Sequence, residues 1–200
     1  MMKKAVIALA VLAASAGAFA QTSTVSEGNW LVRLRAVKLD SVNKDSTGLG
    51  LGINNKWLPE ADVSYFFTPN IAAELILTVP QRQHLNAGGT DIGTFRHLPP
   101  TLTAQYHFTN LNGVKPYVGV GINYTRFSSV NIQVPGVDIK RNSFGPALQV
   151  GVDVPVTKNI YVNLDVKKVW IKTDVKASGT SIGSFKANPM LIGVGVGYRF

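Results

Sequence analysis

The stretch Pro189-Met190-Leu191-Ile192-Gly193-Val194-Gly195-Val196-Gly197-Tyr198-Arg199-Phe200 decides the fold. Met190, Ile192, Val194, Val196, Tyr198 and Phe200 alternate with Leu191, Gly193, Gly195, Gly197 and Arg199. Strand side chains change face at every residue, so this segment has one apolar wall and one small, partly polar wall.

The same alternation recurs seven times upstream. Trp30, Val32, Leu34 and Ala36 oppose Leu31, Arg33 and Arg35, and Ala61, Val63, Tyr65 and Phe67 oppose Glu60, Asp62, Ser64 and Phe66. Ala73, Leu75, Leu77 and Val79 oppose Glu74, Ile76 and Thr78; Leu102, Ala104, Tyr106 and Phe108 oppose Thr101, Thr103, Gln105 and His107. Val118 to Tyr124, Pro146 to Val154 and Val162 to Val166 repeat it, with Gly119, Gly121, Gly145, Gly151, Asp153 and Asp165 on the second wall. Each segment is close to the roughly 9–11 residues a tilted strand needs to cross hydrocarbon. Connections alternate between short turns (68–70, 109–115, 157–159) and long stretches rich in Gly, Ser, Asn and Lys (near 40–57, 80–99, 127–143 and 173–188). This pattern predicts an all-β chain: an eight-stranded antiparallel transmembrane β-barrel with short periplasmic turns and long extracellular loops. A soluble sandwich or lipocalin-like barrel would turn its apolar wall inward. Here the wall left for the interior is glycine-rich with isolated charges, and eight strands enclose space for side chains only.

The N-terminus supplies the compartment. Lys3 and Lys4 precede an apolar run from Ala5, and Ala18-Phe19-Ala20 is a small-residue cleavage motif. Residues 1–20 therefore read as a cleaved signal peptide and 21–200 as a single barrel domain in the bacterial outer membrane. Without Lys3 and Lys4 the chain carries 18 basic and 11 acidic residues, net +7. An exported chain with no Lys/Arg run points this charge at an anionic membrane surface, not nucleic acid. Cysteine is absent, which excludes a disulfide scaffold, thiolate nucleophiles and cysteine metal sites.

The second wall collects the candidate site residues. Arg33, Arg35, His107, Lys167 and Arg199 share it with Glu60, Asp62, Glu74, Asp153 and Asp165. These form either a polar path or a charge-lined plug, and charges confined in a lumen need partners in both readings. Sequence leaves open whether Lys167 pairs with Asp165 or with Glu74. Glu60 and Asp62 lie two apart, a spacing that alternation produces without any catalytic purpose. His84, His97 and His107 are scattered, so no catalytic triad, metal site or cofactor is expected. Gly48 to Gly52 and Gly193 to Gly197 lack the Lys-Ser/Thr and helix of a phosphate loop. Lys44, Lys56, Arg82, Arg96, Arg126, Lys140, Arg141, Lys172, Lys176 and Lys186 outnumber the acidic loop residues, which suits lipopolysaccharide phosphates or simple solvation. Lys168 falls on the lipid wall near the upper rim, where it can reach headgroups.

His97-Leu98-Pro99-Pro100-Thr101-Leu102, Lys115-Pro116-Tyr117-Val118-Gly119-Val120-Gly121-Ile122-Asn123-Tyr124, Gln149-Val150-Gly151-Val152-Asp153 and the ending Gly197-Tyr198-Arg199-Phe200 together resemble the OmpW family of small outer-membrane barrels. The resemblance implies a narrow, largely hydrophobic channel for small apolar molecules, obstructed by apolar side chains. Its third-strand obstruction corresponds to Ile76, and its seventh-strand tryptophan to Lys167. The expected function is thus a non-enzymatic porter for small hydrophobic molecules, with lateral release into the membrane. Ile76, Lys167, Val169 and Leu191 would line its gate, with Phe66 and Tyr161 lower down. The alternative is a structural or interaction barrel whose basic loops bind lipopolysaccharide, host surfaces or phage; a loop-borne lipid enzyme is a third class. The terminal Tyr198-Arg199-Phe200 is the expected handle for the assembly machinery.

Overall fold

The structure, a computed structural model, describes residues 28–109, 111 and 113–200; the expected signal peptide lies outside the described residues. Its strands run β1 (Trp30–Asp40), β2 (Lys44–Asp45), β3 (Leu51–Ile53), β4 (Lys56–Phe66), β5 (Ile71–Thr78), β6 (Gln81–Ala87), β7 (Thr90–Leu98) and β8 (Thr101–His107). They continue as β9 (Lys115–Ile132), β10 (Val137–Ile139), β11 (Asn142–Pro155), β12 (Ile160–Val169), β13 (Lys172–Ala177), β14 (Thr180–Lys186) and β15 (Met190–Arg199). Eight of these close into a ring through antiparallel ladders, in the order β1-β4-β5-β8-β9-β11-β12-β15 and back to β1. Trp30 N–H donates to Phe200 O at 3.0 Å and Phe200 N–H donates to Trp30 O at 2.9 Å, which fastens the closing seam at its periplasmic end. Closure gives each of the eight strands a partner on both sides, the condition for backbone in hydrocarbon.

The alternation sorts residues as the sequence suggests. Leu34, Val120, Val150, Val194 and Val196 are exposed, and Arg33, Arg35, Glu74 and Asp165 are buried. In water such an apolar outer belt would drive association; hydrocarbon solvates it. On β15 the belt runs from Tyr198 to Met190, roughly 20 Å of membrane depth at about 3.3 Å per residue and a tilt near 40°. The periplasmic rim carries an aromatic girdle: Trp30 meets Tyr65, Tyr65 meets Phe67, and Tyr106 meets Phe108, with ring centroids 4.9–5.1 Å apart.

The long connections differ from the expected loops, because most of their length is β-structure. β3, β6 and β7 continue onto the upper end of β9, while β10, β13, β14 and β2 form a separate four-stranded sheet. Alternation persists within these stretches: Leu51 and Ile53, Phe95 and His97, Val137 and Ile139, and Phe185 and Ala187 all turn inward. Two tight hairpins make the flaps, with positive φ at Gly88 and Gly89 and at Ser178 and Gly179, as primed two-residue turns require.

Glycine on the inner wall makes room for long polar side chains. Arg33 sits opposite Gly197, Arg35 opposite Gly195, and Tyr117 opposite Gly151. A Cβ on Gly195 would come within 2.1 Å of Leu34 O and 2.8 Å of Arg35 Cγ. Gly195→Ala is therefore expected to destabilise the barrel by roughly 1–3 kcal/mol, the range for overpacking. Urea unfolding from phospholipid vesicles measures this, and an unchanged midpoint would contradict the close approach.

Candidate functional site

The barrel interior is layered. Lowest is an aromatic floor: Phe66 and Tyr161 pack with Leu31 and Ala72, and the Arg199 guanidinium lies 3.8 Å from the Phe66 ring centroid. His107, at the same level, is stacked on Tyr117 at 4.9 Å.

Above the floor the charges meet. Arg33 makes a two-pronged contact with Asp153, Nε at 3.1 Å and Nη2 at 2.7 Å, and its Nη1 reaches Asp62 at 3.0 Å, Ser64 at 2.9 Å and Glu74 at 3.2 Å. Arg35 bridges Glu60 at 3.0 Å, Asp62 at 2.7 Å and Glu74 at 3.1 Å. Lys167 Nζ contacts Glu60 at 2.6 Å and Asp165 at 2.8 Å, so its partners are Asp165 and Glu60. Eight of the sequence-selected charges meet in this one region, from β1, β4, β5, β11 and β12, and all are buried, as is Arg199 in the floor below.

Sequence reasoning passed over the neutral groups that complete the network. Tyr117 O–H donates to Asp165 at 2.7 Å and accepts from Asn163 at 3.1 Å and Arg35 at 3.3 Å. Gln105 donates to Glu74 at 2.7 Å and to Gln149 at 3.0 Å, and Gln149 donates to Asp165 at 2.7 Å. Their inward phase was the available signal. Buried charge is tolerable only when such groups satisfy the remaining lone pairs.

Ile76, Val169, Leu191 and Lys167 come together one level higher. They line a space of about 30 Å³ with Leu39, Thr78 and Thr101, which holds little more than one water molecule. Above it opens an apolar cavity of about 110 Å³, walled by the two flaps through Leu51, Ile53, Leu85, Phe95, Phe127, Ile139, Val175 and Phe185. Those residues, together with Val169 and Ile171, form one continuous cluster, with Leu191 packed against it. None of these flap residues was singled out from sequence, although their period-two spacing marked them. His97 lines the same cavity 3.3 Å from Gln83, and burial, aided by the charge of Lys56, holds its imidazole down at about 4. It is neutral at pH 7 and adds no charge to the mouth. His84 instead lies exposed on β6 and meets Asp91 at 2.6 Å.

The chain wall is interrupted beside the small space. The β4–β5 ladder ends at Glu60 opposite Thr78, and the β3–β6 ladder begins only at Ile53 opposite Leu85. Pro80 lies in that interval without an N–H, and Pro59 stands on the facing strand. Among the described residues the interval is spanned by side-chain tethers, Lys56 Nζ to Arg82 O at 2.9 Å and His84 N–H to Asn54 Oδ1 at 3.1 Å.

A closed ring of amphipathic strands with a lipid-facing belt and a filled interior defines an outer-membrane β-barrel protein. The chain belongs to the OmpW family, whose model matches residues 26–200, and it resides in the bacterial outer membrane. It is 32% identical over 226 aligned positions to Outer membrane protein W of Vibrio cholerae, covering 100% of both chains. A Pseudomonas aeruginosa protein named dibenzothiophene metabolism operon protein PahQ is 30% identical over 162 residues, 76% of this chain and 68% of its own. The crystal structure of outer membrane protein OprG from Pseudomonas aeruginosa superposes with a TM-score of 0.74 at 21% identity, covering 86% of this chain and 96% of that one.

Removing Arg33 would strand Asp62, Glu74 and Asp153 in the lumen. Arg33→Met should therefore destabilise the folded barrel by roughly 3–5 kcal/mol, the penalty for breaking a buried pair from one side. Urea titration in vesicles reads this out, and a loss below about 1 kcal/mol, as for an exposed ion pair, would contradict the network's cohesion.

Proposed function

We propose that this protein carries small apolar molecules across the outer-leaflet barrier and releases them sideways into the membrane, without enzymatic chemistry. The observation that carries this reading is the position of a predominantly apolar outer cavity above a lumen filled with ion pairs. A hydrophobic solute entering between the flaps gains burial along Phe95, Phe127, Val175 and Phe185, worth about 25 cal/mol per Å² of apolar surface removed from water. It then meets Ile76, Val169 and Leu191. Going straight down would mean displacing Lys167 from Glu60 and Asp165, which exposes buried charge to an apolar solute that cannot solvate it. The interruption between β4 and Pro80, at the height of Thr78, offers a route that disrupts no ladder hydrogen bond. The operon name borne by the PahQ relative concerns metabolism of a flat apolar heteroaromatic, a chemistry that suits this cavity.

The test is uptake of a small fluorescent hydrocarbon into protein-containing liposomes, comparing wild type with Ile76→Trp, after checking that both fold. Trp at this position overfills the space beside Val169 and Leu191, so uptake should fall to the protein-free background. Glucose permeation should be negligible in both. Background-level uptake in both proteins would sink the transport reading and leave the outer surface as the seat of function.

A further inference from the structure

The outward face of the second flap carries an arrangement of charge that the porter reading does not use. β13, β14 and β2 are neighbours, and their registers place Lys172 directly opposite Lys186 and Lys186 directly opposite Lys44. All three are exposed, while the residues next to them in sequence, Thr173, Phe185 and Asp45, point the other way or lie more buried. Like charges directly opposite across strands repel and destabilise the sheet, so three in a row call for an external counter-charge.

Nearby carboxylates are otherwise engaged. The exposed ion pairs among the described residues are His84–Asp91, Lys140–Asp174 and Arg141–Asp138. Asp45 turns its carboxylate onto the Thr47 hydroxyl at 2.7 Å and the Thr47 and Leu51 N–H groups, and Asp40 holds Asn55.

The height of the row identifies what it faces. On strand β12 the outward residues Ile160, Val162, Leu164 and Val166 are apolar, and Lys168 then follows on the same face. Lys168 Nζ donates to Asn188 O, two residues from Lys186, with Trp170 between Lys168 and Lys172. On β15 the apolar belt likewise stops at Met190, four residues before Lys186 in the upward direction. The cations begin where the apolar belt ends, at headgroup level of the outer leaflet.

We propose that Lys44, Lys172 and Lys186, with Lys168 beneath them, bind the phosphate groups of the diphosphorylated glycolipid of the outer leaflet. Its acyl chains lie along Val166 and Met190. A phosphate monoester supplies near-double negative charge and several acceptor oxygens to a set of ammonium groups about one strand spacing apart. Binding relieves the repulsion within the lysine row and anchors the flap that walls the mouth.

Native mass spectrometry of the full membrane protein in neutral detergent, titrated with diphosphorylated lipid A, tests this. Wild type should retain one lipid A. The triple variant Lys44→Gln/Lys172→Gln/Lys186→Gln should bind roughly tenfold or more weakly, given about tenfold to be expected from even one or two lost surface cations. Lys158→Gln, at the periplasmic end, should match wild type. Dephosphorylated lipid should bind both proteins equally weakly, and millimolar inorganic phosphate should not displace lipid A. In detergent alone the triple variant should unfold at a temperature no lower than wild type, which separates lost binding from lost folding. Equal lipid A binding by the triple variant and wild type would overturn the proposal. So would equally tight binding of phosphatidylglycerol by wild type, which would reduce the row to unspecific attraction.

Discussion

Two arginines on β1 set the conditions for the rest of the barrel. Arg33 and Arg35 point into a lumen that eight strands make too narrow for a water column, so every hydrogen-bonding position on their guanidinium groups must be met by protein. Carboxylates from β4, β5 and β11 answer them, and Asn163, Ser64 and Tyr117 take up the remaining directions. The same demand explains the glycines of β15, since side chains of this length can lie across the wall only where the neighbouring strand presents no Cβ. Charge, glycine and register are thus one constraint seen from three sides.

That constraint divides the molecule by depth. The lower lumen is cohesive and polar, and its contacts couple strands on opposite sides of the ring. Among the described residues the upper part has no ion pairs across its interior; it is held chiefly by side-chain burial between two sheets, with hydrogen bonds such as Leu51 N–H to Asp45 at their edge. Cohesion of that kind is non-directional, so the flaps can give way to a guest of suitable size while the ion-paired core keeps its arrangement. Neutral His97 in the cavity wall preserves the apolar character of the mouth.

Much of this was legible in the sequence, because period two fixes which residues share a wall. Arg33, Glu60, Asp62, Glu74, Asp153 and Asp165 follow from phase alone, as does the apolar belt. Phase says nothing about partners across the ring, which is why Lys167 could not be assigned: Glu60 lies 107 positions away and meets it only after closure. The flaps were missed for a different reason. Their Gly-, Ser- and Asn-rich composition matches that of loops, and the short alternating runs Leu51–Ile53 and Val137–Ile139 acquire meaning only when they face one another. Tyr117 stands one residue ahead of the alternating run that opens at Val118, and strand phase turns it inward as a hub of the network.

The central claim is that the ion-paired core closes the lumen to ions while the apolar mouth stays accessible above it. Single-channel recording of the purified protein in a planar lipid bilayer tests that closure most directly. Wild type should show no sustained ionic conductance at moderate voltage, since Arg33, Arg35 and Lys167 occupy the cross-section with their carboxylates. A steady, wide, ion-conducting pore would contradict the closed core and, with it, the need for a sideways exit.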